Sequence, residues 1–325
     1  MNAVLVVRPS SFGDVVHALP VVADIAAHRP GVAVDWVAEE AFAPLVALHP
    51  GIRTVIPVAL RRWRHHLLDR GAWLEFTAFR RALRDQGAYL AVLDLQEQVK
   101  GAVIARLARG PTHGFDRNSV RERSSTLLHR HHHGVARALH FEARCRALAG
   151  LALGYVPAGP PRYGLVPPPV PAGLLPAGPF AVCVHVTSRD DKRWADSRWS
   201  ALIDALGKAG MHALLPWGTP EERTRSLALA RGHDRAVVPE RLSMPVLASV
   251  LAAAAIVIGV DTGLVHLAAA LGTPTVGLFT RTDPGLAGVA IAGRHGVDVG
   301  GPGREPAVED VLLAMGGLLR DAPRC

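Results

Sequence analysis

Nine prolines fall between residues 156 and 179: Pro157, Pro160, Pro161, Pro167, Pro168, Pro169, Pro171, Pro176 and Pro179. Each proline removes an amide donor and fixes φ, so such a stretch is neither a helix interior nor a central strand. It reads as an extended linker. The chain is thereby divided into residues 1–155, the linker 156–179 and residues 180–325. Each flank is long enough for a domain of ordinary size.

Both flanks carry the same rhythm. Ala3 to Arg8 is almost wholly apolar, as a strand buried on both faces should be. Pro9 to Gly13 forms a turn, and a helix follows from Asp14, split or kinked at Pro20 and ending near Pro30-Gly31. Further strands are expected at Val32–Val37, Thr54–Val58 and Ala88–Leu93. Helices are expected near 40–48, 73–86 and 97–109. After the linker come strands Phe180–Val186, His212–Leu215, Ala255–Val260 and Pro274–Phe279. Helices are expected at Asp196–Leu206, Glu221–Ala230, Pro245–Ala254, from Asp261-Thr262-Gly263 to Leu271, and at Val308–Leu319. Alternation of this kind specifies an α/β fold with parallel sheets. Aromatics make up only 5% of residues, which argues against an aromatic-rich β-sandwich.

Charge is concentrated. The net charge is +8, but residues 1–59 carry −2, residues 60–150 carry +9 and residues 151–325 carry +1. The middle segment also holds eight of the 16 histidines. Such a patch implies an anionic partner: nucleic acid, an acidic membrane surface or a phosphorylated ligand. Nucleic acid is disfavoured because aromatics are not interleaved along the basic residues. The three cysteines, Cys145, Cys183 and Cys325, have no paired spacing, so neither a disulfide framework nor a cysteine zinc site is expected. The His131-His132-His133 tract lacks a carboxylate or thiol at ligand spacing, so no metal is expected. No apolar run is long enough to span a bilayer, and Arg8 interrupts the first apolar stretch too early for a signal peptide. A cytoplasmic location follows as an expectation.

Candidate chemistry sits where strands run into helices, the carboxyl edge at which α/β proteins bind ligands. In Ser10-Ser11-Phe12-Gly13-Asp14 the glycine permits close approach. Asp14 is either a helix cap or a carboxylate base. The cluster Arg61-Arg62-Trp63-Arg64 is either a phosphate clamp or a solvated loop. Thr187-Ser188-Arg189-Asp190-Asp191-Lys192 follows a strand; Lys192 is a point charge for a diphosphate or part of an ordinary loop. Glu222 at a helix start either complements the dipole or holds ribose hydroxyls. Asp261-Thr262-Gly263 opens a helix at an anion-binding position, with Asp261 readable as a cap. His266, one turn on, is either a core histidine or a ligand contact. No G-x-G-x-x-G occurs after the first strand, which excludes that dinucleotide fingerprint.

Taken in order, several segments resemble the heptosyltransferases of lipopolysaccharide inner-core synthesis, glycosyltransferase family 9. They are Ser10–Pro20, Asp35–Glu40, Val55–Ala59 with Arg61–Arg64, Thr187–Lys192, Pro216-Trp217-Gly218, Val260–Leu264 and Thr282–Leu286. Ser-Ser-x-Gly-Asp and Arg-Arg-Trp-Arg are most similar to members that add the first heptose; members adding a later heptose are the alternative. The resemblance implies a GT-B fold, two Rossmann-like domains with parallel sheets facing a central cleft. It implies transfer of L-glycero-D-manno-heptose from ADP-heptose to Kdo of Kdo-lipid A, with inversion. The acceptor would lie on 1–155 and the donor on 180–325. By resemblance Asp14 is the base. Thr187, Ser188, Lys192, Glu222, Asp261, Thr262, Gly263 and His266 contact the donor. Ser10, Ser11, Gly13, Arg61, Arg62, Arg64, Gln96, Arg121 and His140 contact the acceptor. No metal or other cofactor is implied. A monomer touching the anionic cytoplasmic face of the inner membrane is expected, with no nucleic acid partner. Departures from the family pattern are Ser188 in place of Thr, Arg8-Pro9 in place of Lys-Thr, and Glu97 in place of Gly.

Overall fold

A computed structural model describes residues 2–65, 69–187, 189–291 and 295–321. In the first half, β1 (Ala3–Val7), β2 (Ala33–Glu39), β3 (Ile52–Val58), β4 (Ala91–Asp94), β5 (Thr112–Phe115) and β6 (His131–His133) form one sheet. All neighbours are parallel, in the order β3-β2-β1-β4-β5-β6. The second half contains β7 (Phe180–Val184), β8 (His212–Leu214), β9 (Ala236–Val237), β10 (Ile256–Val260), β11 (Thr275–Phe279) and β12 (Gly296–Gly300). Its order, β12-β11-β10-β7-β8-β9, is the same 3-2-1-4-5-6 arrangement counted from β7, again all parallel. Each sheet is thus a Rossmann-type sheet whose connections reverse direction between its first and fourth strands. The expected α/β architecture of two Rossmann-like domains is what the chain forms.

The elements follow the sequence where burial is unambiguous. β1, β7, β10 and β11 are buried at every residue. The first helical stretch breaks as Pro20 requires: one helix spans Phe12–Ala18, and Pro20 opens the next, Pro20–His28. β5, β6, β9, β12 and the helix Phe141–Leu153 were not expected. β6 is three histidines at a sheet edge, β9 has two residues, and β12 is Gly-Val-Asp-Val-Gly. The helix 141–153 buries Glu142, Arg144 and Arg146 beside Cys145 and Leu148, so charged side chains occupy core positions and erase the apolar period.

The chain divides into two compact units, Met1–Val166 and Pro167–Cys325. The first core gathers Leu5, Val7, Val37, Ile56, Phe79, Leu83, Val92 and Ile104. The second gathers Trp194, Trp199, Leu202, Ile203, Ile258 and Leu278. No helix or strand occurs between Leu153 and Phe180. The start of this stretch is tied to the first unit. Arg146 donates to the carbonyls of Gly159 (3.1 Å) and Ala158 (3.2 Å), and Val166 N donates to Leu48 O (2.9 Å). Further on, Pro168 O accepts from Ser249 Oγ within the second unit (2.6 Å).

Arg146 also pairs with Asp24 through two bonds of 2.7 and 3.0 Å and approaches Glu142 at 3.4 Å, all three being buried. It therefore joins helix 141–153 to helix 20–28. Arg146→Ala would take the paired cation from the buried Asp24 carboxylate, at an expected cost of about 3–5 kcal/mol. Urea unfolding should show that loss, and adding Asp24→Ala should recover part of it.

Candidate active site

The first unit builds its site at the carboxyl edge between β1 and β4. Arg8 follows β1 directly and is buried. The loop Pro9–Ser11 delivers the chain into helix 12–18, with Asp14 in its first turn. Asp14 Oδ2 accepts from Ser11 N and Ser11 Oγ, both at 2.9 Å, and Oδ1 lies 3.2 Å from the Arg8 guanidinium. The two readings of Asp14 therefore coincide. Ser11 is the cap residue and Asp14 closes the capping box onto it, and the same bonds fix the Asp14 carboxylate beside a buried cation while 28% of the side chain stays exposed. Burial opposes the charge on Arg8, but Asp14, Glu97 and Asp94 outweigh it and hold its pKa above the usual value.

The loop after β4 supplies the other wall. Gln96 Oε1 accepts from Ser10 N (3.0 Å), and Lys100 Nζ donates to Ser10 Oγ (2.8 Å). Gln96 N donates to Asp94 Oδ1 (2.9 Å), while Asp94 Oδ2 meets His129 Nε2 at 2.9 Å in a fully buried pair. A continuous chain of contacts thus runs from His129 through Asp94 and Gln96 to the Ser10-Ser11 turn. It needs Gly101: a Cβ there would lie 2.5 Å from Asp94 Oδ1 and 2.4 Å from Gln96 Cβ. Glu97, with φ 62°, pairs with Arg144 at 2.8 Å. Burial raises the Glu97 pKa, against the pull of Arg144 and Arg8.

The remaining residues assigned to the acceptor lie farther out in contact terms. Arg61 N donates to Glu39 Oε1 (3.0 Å), and its guanidinium stands 4.9 Å over the Phe42 ring. The pKa of Lys100 is lowered by burial and then by the positive charge of Arg61. Arg62 is bound by Glu40 (3.0 Å) and Glu75 (2.6 Å), and Arg64 Nε donates to His65 Nε2 (3.0 Å). Arg121 is exposed. His140 caps helix 141–153, and its ring meets His17 edge-on at 5.2 Å. Gly13 lies in the first turn of helix 12–18.

The second unit repeats the plan between β7 and β10. Gly259 lets helix 263–270 seat against β10 and β10 lie close to β7, since a Cβ there would fall 2.6 Å from Val265 Cγ2 and 2.5 Å from Val184 Cβ. Asp261, just beyond β10, is a hub rather than a cap. Its Oδ2 takes Lys192 Nζ at 2.5 Å and Thr282 Oγ1, and its Oδ1 lies 3.2 Å from His266 Nε2. Burial would raise the Asp261 pKa, but His266, Lys192 and Thr282 together drive it well below the carboxylate range. Thr262 is the cap residue of helix 263–270, and its buried Oγ1 has no hydrogen-bond partner among the described residues. Gly263 opens that helix. Thr187 is half-buried and accepts from Arg189 N (3.3 Å). Ser188 lies outside the described residues. Glu222 completes a capping box: its Oε2 accepts from Gly218 N (2.7 Å) and Thr219 N (3.1 Å).

Sequence reasoning missed Arg8, Asp94, Lys100, His129 and Arg144. Arg8 had a signal, a cation closing an apolar strand directly before the loop. Arg144 and His129 had none, because their partners are 47 and 35 residues away.

A family model for glycosyltransferase family 9 (heptosyltransferase) matches residues 76–297. The chain belongs to glycosyltransferase family 9. Lipopolysaccharide heptosyltransferase 1 of Salmonella typhimurium is 42% identical over 287 residues, 88% of this chain and 90% of that protein. The enzyme of the same name from Pseudomonas aeruginosa is 40% identical over 302 residues, 91% and 83% of the two chains. Among solved structures, E. coli heptosyltransferase WaaC with ADP superposes at a TM-score of 0.86 with 36% identity, covering 97% of this chain and 99% of that one. E. coli heptosyltransferase II shares the fold at a TM-score of 0.76 and 18% identity. The GT-B heptosyltransferase architecture expected from the motifs is therefore that of this family 9 chain.

One histidine beside the second site makes a pH test. His185 follows β7, is fully buried, and meets Ser226 Oγ at 2.9 Å. Burial, then the charge of Arg225, pushes its pKa down to about 4 from 6.5. Between those values the unfolded chain binds a proton that the folded chain refuses, so stability falls as pH drops. The slope is about 1.4 kcal/mol per pH unit for one such group. His185→Gln should flatten the pH dependence of urea unfolding between about pH 6.5 and 4 by that amount.

Proposed function

We propose that this family 9 heptosyltransferase moves L-glycero-D-manno-heptose from ADP-heptose to Kdo of Kdo-lipid A, by single displacement with inversion. The observation that carries the reading is Asp14, a partly exposed carboxylate fixed by Ser11 and the buried Arg8 at the edge between β1 and β4. In one step, the acceptor hydroxyl oxygen bonds to the anomeric carbon. The bond from that carbon to the β-phosphate oxygen breaks, and its electron pair leaves with ADP. Asp14 takes the hydroxyl proton. One positioned base and one stabilised leaving group suffice for such a displacement.

The donor is assigned to residues 180–325; that it is an ADP-heptose is supported by the likeness to WaaC solved with ADP and with ADP-2-deoxy-2-fluoro heptose. Lys192 spends one of its three N–H bonds on Asp261 and keeps two for the diphosphate. Asp261 fixes that lysine together with His266, and Thr262 Oγ1 and the helix start at Gly263 offer further donors to phosphate. Ser188 belongs to the same proposed set. Glu222, whose cap bonds both fall on Oε2, holds ribose through Oε1. Thr187 borders the diphosphate.

The acceptor is assigned to the first unit, with Ser10, Ser11, Gly13 and Gln96 around the Kdo hydroxyl. Arg61, Arg62, Arg64, Arg121 and His140 meet its carboxylates and phosphates. Arg62 already answers two carboxylates, so it would serve by holding the loop together. Identity of 36% to WaaC, against 18% to heptosyltransferase II, supports addition of the first heptose over a later one. Among the described residues no helix is long and apolar enough to cross a membrane. The reading has the chain meet its lipid acceptor at the cytoplasmic face of the inner membrane.

Incubating the purified chain with ADP-heptose and Kdo-lipid A should release ADP and yield heptosyl-Kdo-lipid A. Product formed only on an acceptor already carrying heptose would move the reading to a later step. Asp14→Asn should keep ADP-heptose affinity and lower turnover by roughly 10²–10⁴-fold. Near wild-type turnover would remove Asp14 as base. Lys192→Ala should weaken transition-state stabilisation by about 2–4 kcal/mol and raise the ADP inhibition constant. An unchanged ADP constant would place Lys192 outside the donor site.

A further inference from the structure

Among the described residues Glu97 is the one non-glycine with a positive φ, 62°. The left-handed region costs a glutamate backbone strain that a glycine would escape. Glu97 also stands where the family pattern has Gly. Two tethers hold it there. Its carbonyl accepts from Glu122 N at 3.1 Å, and its carboxylate accepts from Arg144 Nη2 at 2.8 Å. The ion pair is nearly closed to solvent, at 12% side-chain exposure for Glu97 and 5% for Arg144. Stability gives no reason for this arrangement. A buried ion pair gains little over an apolar substitute, and the strain subtracts from it. Strained residues held by several contacts gather instead at functional sites. Glu97 lies in the loop after β4, next to the Gln96 whose Oε1 holds Ser10 N.

We propose that Glu97 is a positioning residue for the base Asp14: its carboxylate, fixed by Arg144, offsets the buried arginines and so keeps Asp14 an effective proton acceptor. Arg8 pairs with Asp14 at 3.2 Å, with 6% of its own side chain exposed. Arg8 and Arg144 each keep a buried Nε without a hydrogen-bond partner among the described residues. A buried cation answered by Asp14 alone would hold the proton off that carboxylate and weaken it as a base. Glu97 opposes this. Burial raises the Glu97 pKa, Arg144 and Arg8 pull it down, and the like charge of Asp14 raises it again. That repulsion is mutual, so ionised Glu97 makes Asp14 the stronger base. The other ionisable groups on these elements are committed. Asp94 holds Gln96 N and His129, Lys100 holds Ser10 Oγ, and Glu122 takes Gln98 Nε2 and Val99 N. Arg146 is taken by Asp24 and Glu142. Burial pushes the Cys145 thiol up to about 12, so it is uncharged at neutral pH. His17 and His140 meet each other edge-on. The proposal rests on the reading of Asp14 as base; the effect of Glu97 on its charge is measured without substrate.

The test is a carboxyl-carbon NMR titration of the full chain labelled at aspartate, together with the pH profile of kcat/KM. The Asp14 signal is the one that Asp14→Asn removes. In Glu97→Gln that signal should titrate at lower pH, with proton affinity at least about threefold reduced. The acid limb of kcat/KM should move the same way, and turnover on the alkaline plateau should fall roughly two- to fivefold while the KM for ADP-heptose holds. Glu97→Gly should give the same shifts although it releases the strained φ, which separates charge from folding. Glu97→Asp keeps the charge and tolerates the left-handed region better, so it should bring titration and limb back toward wild type. Uncharged variants that unfold in less urea but leave the Asp14 titration in place would make Glu97 structural and overturn the proposal. A titration that moves while the acid limb stays would also overturn it, by removing Asp14 as base. If no acceptor releases ADP, the heptosyltransferase reading has failed, while a moved titration keeps Glu97 as the residue that sets the charge of Asp14.

Discussion

A parallel sheet in the order 3-2-1-4-5-6 obliges its two central strands to send their connections to opposite faces. Right-handed crossovers leave no other route, so the backbone opens at the carboxyl edge between those strands. Everything proposed for function in each unit hangs on that opening. In the first unit it receives the Ser10–Asp14 turn from β1 and Asp94–Glu97 from β4. In the second it receives Thr187 and the Lys192 loop from β7 and Asp261–Gly263 from β10. Both openings are walled by elements brought close through glycine: Gly101 within helix 99–107, against Asp94 and Gln96, in one, and Gly259 beneath helix 263–270 in the other.

The two openings are electrostatically unlike. In the first, a buried arginine stands behind a half-open carboxylate, with Glu97 and Arg144 completing a low-dielectric cluster of alternating sign. Such a cluster is costly unless every member is paired, and its pairing is what orients Asp14. In the second, the carboxylate is the buried partner. Asp261 gathers a lysine, a histidine and a threonine and leaves the cation 17% exposed. One opening therefore presents an oriented acid group and the other an oriented positive charge. A proton acceptor and a leaving-group stabiliser are the two things a single displacement requires.

The apolar strands, the break at Pro20 and the helix starts at Asp196, near Glu221 and at Gly263 were legible because each is written in neighbouring residues. The four strands that escaped reading are short, polar or glycine-bordered, and their pairing is decided by what lies beside them. β6 is the sharpest instance: His131–His133 reads locally as a metal tract or a charged loop, yet β5 supplies the parallel ladder that makes it an edge strand. The helix 141–153 escaped for the complementary reason. Its buried face carries Glu142, Arg144 and Arg146, whose partners lie elsewhere in the chain.

Sequence alone determined the fold class, the duplication of the βα rhythm, the family motifs and the segment holding the excess charge. Those depend on local composition and on periods of two to four residues, which a chain displays without being folded. It also placed Asp14, Gln96, Lys192 and Asp261 at strand ends. Tertiary structure alone decided what those groups do there. Asp14 is oriented by Arg8, Gln96 by an Asp94–His129 pair, and Lys192 by an aspartate 69 residues away. It also turned the arginines of helix 70–85 outward while those of helix 141–153 turned in. A guanidinium's partner is chosen by distance in space and by the dielectric around it, and neither quantity exists until the sheets have closed.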